Sequence, residues 1–431
     1  MRKYVILLIA SLWLSCGAQQ RLSIDSCMRY AAVHNHDART AAIGLMSSRL
    51  SRQEASAAML PSVGASIGAQ YSFGRSIDPA TNTYSNLRSF SNTYSLWLNA
   101  PIFSGGRIVN DFRKARASES AARSALESKR DLAAIAALDA CINALYYQEL
   151  TKIMEEKHAE SLDALRQARR MKELGLKSAV DISQSEAQEA DDDYSLTAAT
   201  AQWQSALLAL KSAMAYPLAD SIAVVMPAAL SGYIANGITP RADNPTMMEA
   251  EARVEELRLG MLAARGDLMP SLTLNAGISD YYYSHHNAVN ETFRRQMDVN
   301  FGQYVGVTMS IPLFSGLSRI NGYRRSRCSY AAAQVALERT RYKYESDFAQ
   351  AVLDRDNYAK EIVKMERKAA ADSTAYALAR RKFGEGLMDA LDMRRSADNW
   401  FAARTELLRC RLLFDAKRRL VNYYLTNKLF D

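Results

Sequence analysis

Four stretches of this 431-residue chain alternate apolar and polar side chains with a period of two, the pattern of a strand facing two different surroundings. In the first, Val63, Ala65, Ile67, Ala69, Tyr71 and Phe73 oppose Ser62, Gly64, Ser66, Gly68, Gln70 and Ser72. In the second, Tyr94, Leu96, Leu98, Ala100 and Ile102 oppose Thr93, Ser95 and Asn99, with Trp97 interrupting the polar side. The third sets Leu272, Leu274, Ala276 and Ile278 against Thr273, Asn275 and Ser279. The fourth sets Val305, Val307, Met309, Ile311 and Leu313 against Tyr304, Gly306, Thr308 and Ser310. Each runs for about ten to twelve residues, the length a tilted strand needs to cross a bilayer with an apolar outer and a polar inner face. A soluble sandwich also alternates, but it needs more strands than four set in pairs among helices. The connecting segments 74–88 and 284–296 are polar and predict water-facing loops, with Tyr281, Tyr282 and Tyr283 at an interfacial aromatic girdle.

Between these pairs the period lengthens to that of helices. No proline occurs from about Gly105 to Leu174, and about 70 helical residues would reach roughly 105 Å, far beyond the width of a globular domain. Ile135, Leu138, Ile142 and Leu145 step by coiled-coil intervals, as do Trp203, Leu207, Leu210 and Met214, while Trp400, Leu407, Phe414 and Val421 recur every seven. The alanines between them allow close approach in an array of packed helices. Gly175 and Gly386 are expected to stop the long helices, since glycine readily takes the left-handed cap conformation. Ser178 with Asp181, and Asp389 with Asp392, have the spacing of a helix N-cap and its third residue, so each half predicts a tight helix-turn-helix.

The order of elements occurs twice. Asn35 and Pro61 are matched by Asn244 and Pro270 at an offset of 209. The segments Pro101-Ile102-Phe103-Ser104-Gly105 and Pro312-Leu313-Phe314-Ser315-Gly316, like Gly175-Leu176 and Gly386-Leu387, are offset by 211. Three anchors in one order at almost constant spacing define an internal repeat. The expected organisation is a leader over 1–18, a first repeat over 19–217, a mixed equatorial linker over 218–242 and a second repeat over 243–431. Four strands are too few to close a membrane barrel within one chain, where about eight is the usual minimum, so several copies must share it.

Composition narrows the function. Only 9 Pro and 19 Gly punctuate the chain, which agrees with a few long elements. The formal net charge is +8, but the charges are interspersed and no basic block suggests a nucleic-acid groove. Arg2 and Lys3 precede the apolar run Tyr4 to Leu14 and the small residues Cys16-Gly17-Ala18, the order of a signal peptide cleaved after Ala18. Lipidation at Cys16 is the alternative, against which stands the bulky Trp13 three residues before it. No later apolar stretch reaches about eighteen residues, so a membrane crossing falls to strands. Cys27, Cys141, Cys328 and Cys410 are widely spaced and read as small buried hydrophobes rather than a zinc or disulfide set. Asp191-Asp192-Asp193 reads as a solvated helical face. His34, His36, His285 and His286 lack a recognisable ligand set, and no P-loop or nucleophile-elbow context occurs, so no catalytic, cofactor or metal residues are assigned.

Leu-Pro entering one strand, Pro-aliphatic-Phe-Ser-Gly leaving another and Gly-Leu before an aspartate, all duplicated in register, resemble the TolC family of outer-membrane efflux proteins. The resemblance covers nearly the whole chain after the leader. It implies a mainly α fold with membrane β structure: a long antiparallel α-helical coiled-coil barrel, and four β-strands per subunit contributing to a shared trimeric twelve-stranded β-barrel. It also implies a homotrimer in outer-membrane lipid, docked to a periplasmic adaptor (membrane fusion) protein and an inner-membrane pump such as an RND or ABC transporter. The expected function is the exit duct of tripartite efflux or type I secretion, with no bound cofactor. Carried over, Gly175, Leu176, Gly386 and Leu387 become adaptor-contact positions at the periplasmic tip. Asp392, with Asp181 at the matching turn, becomes a constriction or helix-capping residue. Where some members carry a second acid three residues later, this chain has Arg395, which replaces a doubly acidic ring with an Asp392–Arg395 pair. The competing reading is a periplasmic coiled-coil scaffold or adaptor without a pore.

Overall fold

The computed structural model describes residues 20–77, 82–175, 177–226, 239–285 and 290–429. The expected leader 1–18, which includes Cys16, lies outside the described residues, as do His286, Leu176 and 227–238 of the expected linker. The chain forms two compact units, each drawing segments from both repeats. One comprises Gly44–Arg123 and Glu249–Glu338, the other Met1–Ile43, Ser124–Met248 and Arg339–Asp431.

The first of these units holds one antiparallel sheet. Strands β2 (Ser62–Ile77), β3 (Tyr84–Ser104), β5 (Ser271–His285) and β6 (Gly302–Ser310) pair in that order, β1 and β4 being two short strands of the other unit. The register aligns Val63 with Leu98, Leu98 with Ala276 and Ala276 with Val305, so the alternating apolar positions of all four strands share one face. That face is bare: Ile67 is 75% exposed and Val305 79%. A water-soluble domain would cover such a surface, whereas lipid solvates it. On the opposite face Gly64, Trp97, Gly277 and Tyr304 form one row across the sheet. A Cβ added to Gly64 would lie 2.3 Å from the Trp97 ring, and one on Gly277 would lie 2.8 Å from the Tyr304 ring. Trp97 thus interrupts the polar pattern because its ring fills the space that a side chain at Gly64 of the neighbouring strand would need.

Two sequence expectations fail at the strand ends. Strands β2 and β3 extend well into the 74–88 segment, and β6 stops at Ser310, leaving Ile311 and Leu313 outside it. Pro312 lacks the N–H that another ladder bond would need. Its counterpart Pro101 sits at a register shift in the β3–β5 pairing. The 284–296 segment is not wholly loop, since the helix Phe293–Asn300 begins within it. Numbered along the chain, the helices are α1 (Ile24–His34), α2 (His36–Ala57), α3 (Arg107–Glu173), α4 (Ala179–Met214), α5 (Pro245–Gly266), α6 (Phe293–Asn300), α7 (Ser318–Gly384) and α8 (Ala390–Thr426).

Helix α6 finishes what β6 leaves undone. The β5–β6 ladder ends at the Ser279–Gly302 pair, beyond which the edge groups of β5 need other partners. The buried Gln296 accepts from Tyr283 N–H at 2.9 Å and donates to Tyr283 C=O at 2.8 Å, the bonds an adjoining strand would make. Asn300 donates to Tyr281 C=O at 2.7 Å.

In the other unit β1 (Gln20–Leu22) pairs in parallel with β4 (Ile222–Val224). Ser23 caps α1, which buries Cys27, Met28 and Ala31. On α3, Leu138, Ile142 and Leu145 are buried as their spacing predicts, while Ile135 is half-buried, and Ala134, Ala137 and Ala144 are fully covered. The repeat anchors have a common role. Asn35 accepts from Asp37 N–H and donates to Ala213 C=O on α4; Asn244 accepts from Thr246 N–H and donates to the Tyr423 hydroxyl on α8. Each asparagine starts a helix and ties it to the last helix of its own repeat.

Candidate functional site

The two helix-turn-helix hairpins, α3 with α4 and α7 with α8, carry the residues singled out from the sequence. Gly175 and Gly386 have φ of +76° and +75°, the left-handed conformation that ends a helix without a Cβ penalty. At the second turn Gly386 N–H bonds Phe383 C=O at 3.0 Å and Leu387 N–H bonds Lys382 C=O at 2.9 Å, which satisfies two orphan carbonyls of α7. Leu387 is 74% exposed, an apolar side chain presented at the turn.

The helices that restart differ. Ser178 and Asp181 exchange reciprocal bonds, Asp181 N–H to Ser178 Oγ at 3.3 Å and Ser178 N–H to Asp181 Oδ2 at 2.8 Å. Bonds from the Ser178 backbone and then its hydroxyl hold the Asp181 carboxyl below its ordinary pKa. At the second turn the N-cap is Asp389, which accepts from Asp392 N–H at 2.7 Å. The Asp392 carboxylate pairs instead with Arg395 of its own helix at 3.7 Å, both side chains being largely exposed. The geometry therefore supports a local cap and an i, i+3 ion pair at this position.

A second set of residues, to which the sequence reading gave no such role, links the hairpins to each other. Lys157 on α3 reaches Asp192 of α4 at 3.1 Å and Asp398 of α8 at 2.8 Å. Burial disfavours the Lys157 ammonium, but the Asp398 hydrogen bond and the Asp192 charge outweigh it and raise its pKa. Glu160 accepts from the Tyr376 hydroxyl at 2.9 Å and from Arg380 at 3.0 Å, and Glu156 pairs with Arg404. Phe383 packs against Ala168 and Ile182. A cavity of about 300 Å³ lies among these groups, with Phe401 and Met393 on its apolar wall. The expectation of a solvated triple aspartate holds for Asp191 and Asp193, whose side chains are exposed, and is corrected at the middle residue. Asp192 is only 2% exposed and bonded to Lys157 and Gln188, while Asp191 approaches Arg394 at 3.8 Å and Asp193 approaches His158 at 4.0 Å. The signal was present in the sequence: Ser185, Asp192, Ala199 and Ala206 are buried and stand seven apart, one seam of α4. Cys328 is exposed, which corrects its reading as a buried hydrophobe, while Cys27, Cys141 and Cys410 are buried.

The profile of the outer membrane efflux protein family matches residues 28–215 and 240–420. The chain belongs to that family. As an outer membrane efflux protein it resides in the outer membrane, extends into the periplasm and serves as an exit duct of efflux systems; its family is one of channels. Solved structures share the fold across nearly the whole chain. CusC gives a TM-score of 0.81 at 16% identity over 93% of this chain and 91% of its own. The Campylobacter jejuni CmeC outer membrane channel gives 0.81 at 15% identity, covering 94% and 87%, and Vibrio cholerae VceC gives 0.80 at 16%, covering 94% and 95%. No curated protein sequence matches the chain. The open four-stranded sheet is the subunit's share of the β-barrel that the trimeric channels of this fold enclose.

Proposed function

We propose that three copies of this chain form one duct that receives substrate from an inner-membrane pump through a periplasmic adaptor and releases it outside. The observation that carries this reading is the sheet of unit Gly44–Arg123 with Glu249–Glu338: four strands, one bare apolar face, and too few strands to close alone. Residues 19–217 and 243–431 act as two structural repeats joined by 218–242, after removal of 1–18 on export. Gly175, Leu176, Gly386 and Leu387 are the adaptor-facing positions. The exposed apolar Leu387 offers a side chain that a docking partner could cover. Asp392 and Arg395 face the entrance, and their mutual pairing makes that ring nearly neutral. The duct performs no bond chemistry and binds no cofactor.

Light scattering of detergent-solubilised protein should return three times the subunit mass, and planar bilayers should show discrete conductance steps. A stable, non-conducting monomer would refute the proposal. Substituting Leu387 with Asp should abolish co-purification with the cognate adaptor while leaving mass and conductance intact.

A further inference from the structure

Immediately after β6 the chain exposes an apolar loop and then a run of unpaired cations, and nothing in the duct's transport role requires either. Leu313 is 91% exposed and Phe314 84%. Leu317 holds φ +65° where the first repeat uses Gly106, at φ +78°. A non-glycine residue rarely adopts this conformation, and here it holds a third apolar side chain, 53% exposed, beside Leu313 and Phe314. Helix α7 then carries Arg319, Arg324, Arg325 and Arg327, and no acidic residue occurs between Ser318 and Leu337. Arg319 donates to Asp267 C=O at 2.9 Å. Arg324, Arg325 and Arg327 are exposed, and no carboxylate pairs with them among the described residues. Only Arg319 lies in the first turn, where a cation opposes the helix dipole; Arg324, Arg325 and Arg327 stand one to two turns further on as a cluster of like charge that an anionic partner would relieve. The matching junction of the first repeat is already neutralised in part, because Arg107 pairs with Asp111 at 3.5 Å and Asp267 at 3.3 Å.

From these observations we infer that the β6–α7 junction is a docking surface for anionic glycerophospholipid of the periplasmic leaflet. Leu313, Phe314 and Leu317 enter the acyl region, and Arg324, Arg325 and Arg327 bind headgroup phosphates. The surface is continuous with the bare face of β6, whose Val305, Val307 and Met309 lead directly to it. Ser318 to Arg327 covers only about 13 Å of helix axis, and helical side chains lean back toward the N-terminus, here toward the membrane. Arginine stems are long enough to lie along the apolar boundary with the guanidinium at the headgroups.

The inference rests on the sheet spanning the membrane, and the test separates the two. Trimeric protein is reconstituted with spin-labelled phosphatidylglycerol or phosphatidylcholine, and the motionally restricted lipid fraction is measured by electron paramagnetic resonance. The native protein should select phosphatidylglycerol. R324Q/R325Q/R327Q should lose at least about 5-fold of that selectivity, the worth of one arginine at an anionic surface. About 1 M salt should produce the same loss in the native protein. Insertion without selectivity, or selectivity equal in both proteins, overturns the inference alone. A triple variant that keeps native selectivity but whose trimer dissociates more readily also overturns it, by assigning the arginines to a subunit contact. Failure of the native protein to insert overturns the membrane reading and this inference with it.

Discussion

Replacing Lys157 by Met should damage the hairpin unit far more than replacing either of its acidic partners. Lys157 bridges Asp192 and Asp398, with side-chain exposures of 18%, 2% and 40% respectively, and Asp398 also has Arg394 at 3.5 Å. Removing it leaves the Asp192 carboxylate buried with Gln188 as its remaining partner, the situation that typically costs about 3–5 kcal/mol. Removing Asp398 leaves Lys157 still paired with Asp192 and exposes no stranded charge, so Asp398→Asn should cost about 1 kcal/mol. Asp192→Asn falls between, since Asp398 retains the ammonium but a buried hydrogen-bond acceptor is weakened. The combination Lys157→Met with Asp192→Leu replaces a buried pair by apolar groups and should recover most of the loss. Denaturant titration followed by circular dichroism at 222 nm in detergent measures each value, and the rate of proteolysis near the Gly175 and Gly386 turns provides a local readout. Equal costs for Lys157→Met and Asp398→Asn, or no rescue in the double variant, would refute the asymmetry.

Asp131, which accepts from the Tyr423 hydroxyl at 2.8 Å, has its pKa raised to about 6 by burial, partly offset by that bond. Its unfolded carboxyl titrates near 3.9, so the native state holds the extra proton in between, and stability falls as pH rises through that window. Asp131→Asn should therefore gain about 3 kcal/mol above pH 6 and nothing below pH 4, a difference that unfolding titrations at the two pH values would read directly. Gly105→Ala should block trimer assembly on native gels, because its Cβ would lie 2.3 Å from Gly266 C=O at φ +62°. Gly175→Ala has open space around it and should cost only about 1–2 kcal/mol. Leu98→Arg on the lipid face should cost roughly 2–4 kcal/mol near the midplane, whereas Ser95→Arg on the other face should assemble normally and lower single-channel conductance. Equal tolerance of the two in heat-modifiability gels would show the faces to be misassigned.

The strands, the long helices and both glycine turns were legible because each rests on a periodic pattern or a local backbone requirement that the repeat states twice. Helix α6 was not, because its eight residues carry no repeated counterpart and its use depends on where β6 ends. Pro312 held that clue, since a missing N–H ends a ladder in any context. Asp192 was misread for the opposite reason. Three consecutive acids suggest solvent by composition, while the seven-residue spacing through Ser185, Ala199 and Ala206 places the middle one on the buried seam. The cross-hairpin partners Lys157 and Asp398 are 241 positions apart, a juxtaposition that only the packing of helices creates. The pair Asp392–Arg395 was legible because i, i+3 spacing on one helix brings the two charges together without help from the rest of the fold.

The side-chain amide of Gln296 acts as a ruler. Strand β6 offers its outer edge over nine residues, Gly302–Ser310, and beyond Gly302 the place of a further strand on β5 is taken by Gln296 and Asn300. A strand sliding along β6 one residue out of place would turn its greasy side chains toward water. It would also run into α6 at one end or leave ladder groups dangling at the Pro312 end. In the proposed trimer an incoming strand thus has a track of fixed length to fill, and that length sets how neighbouring copies align.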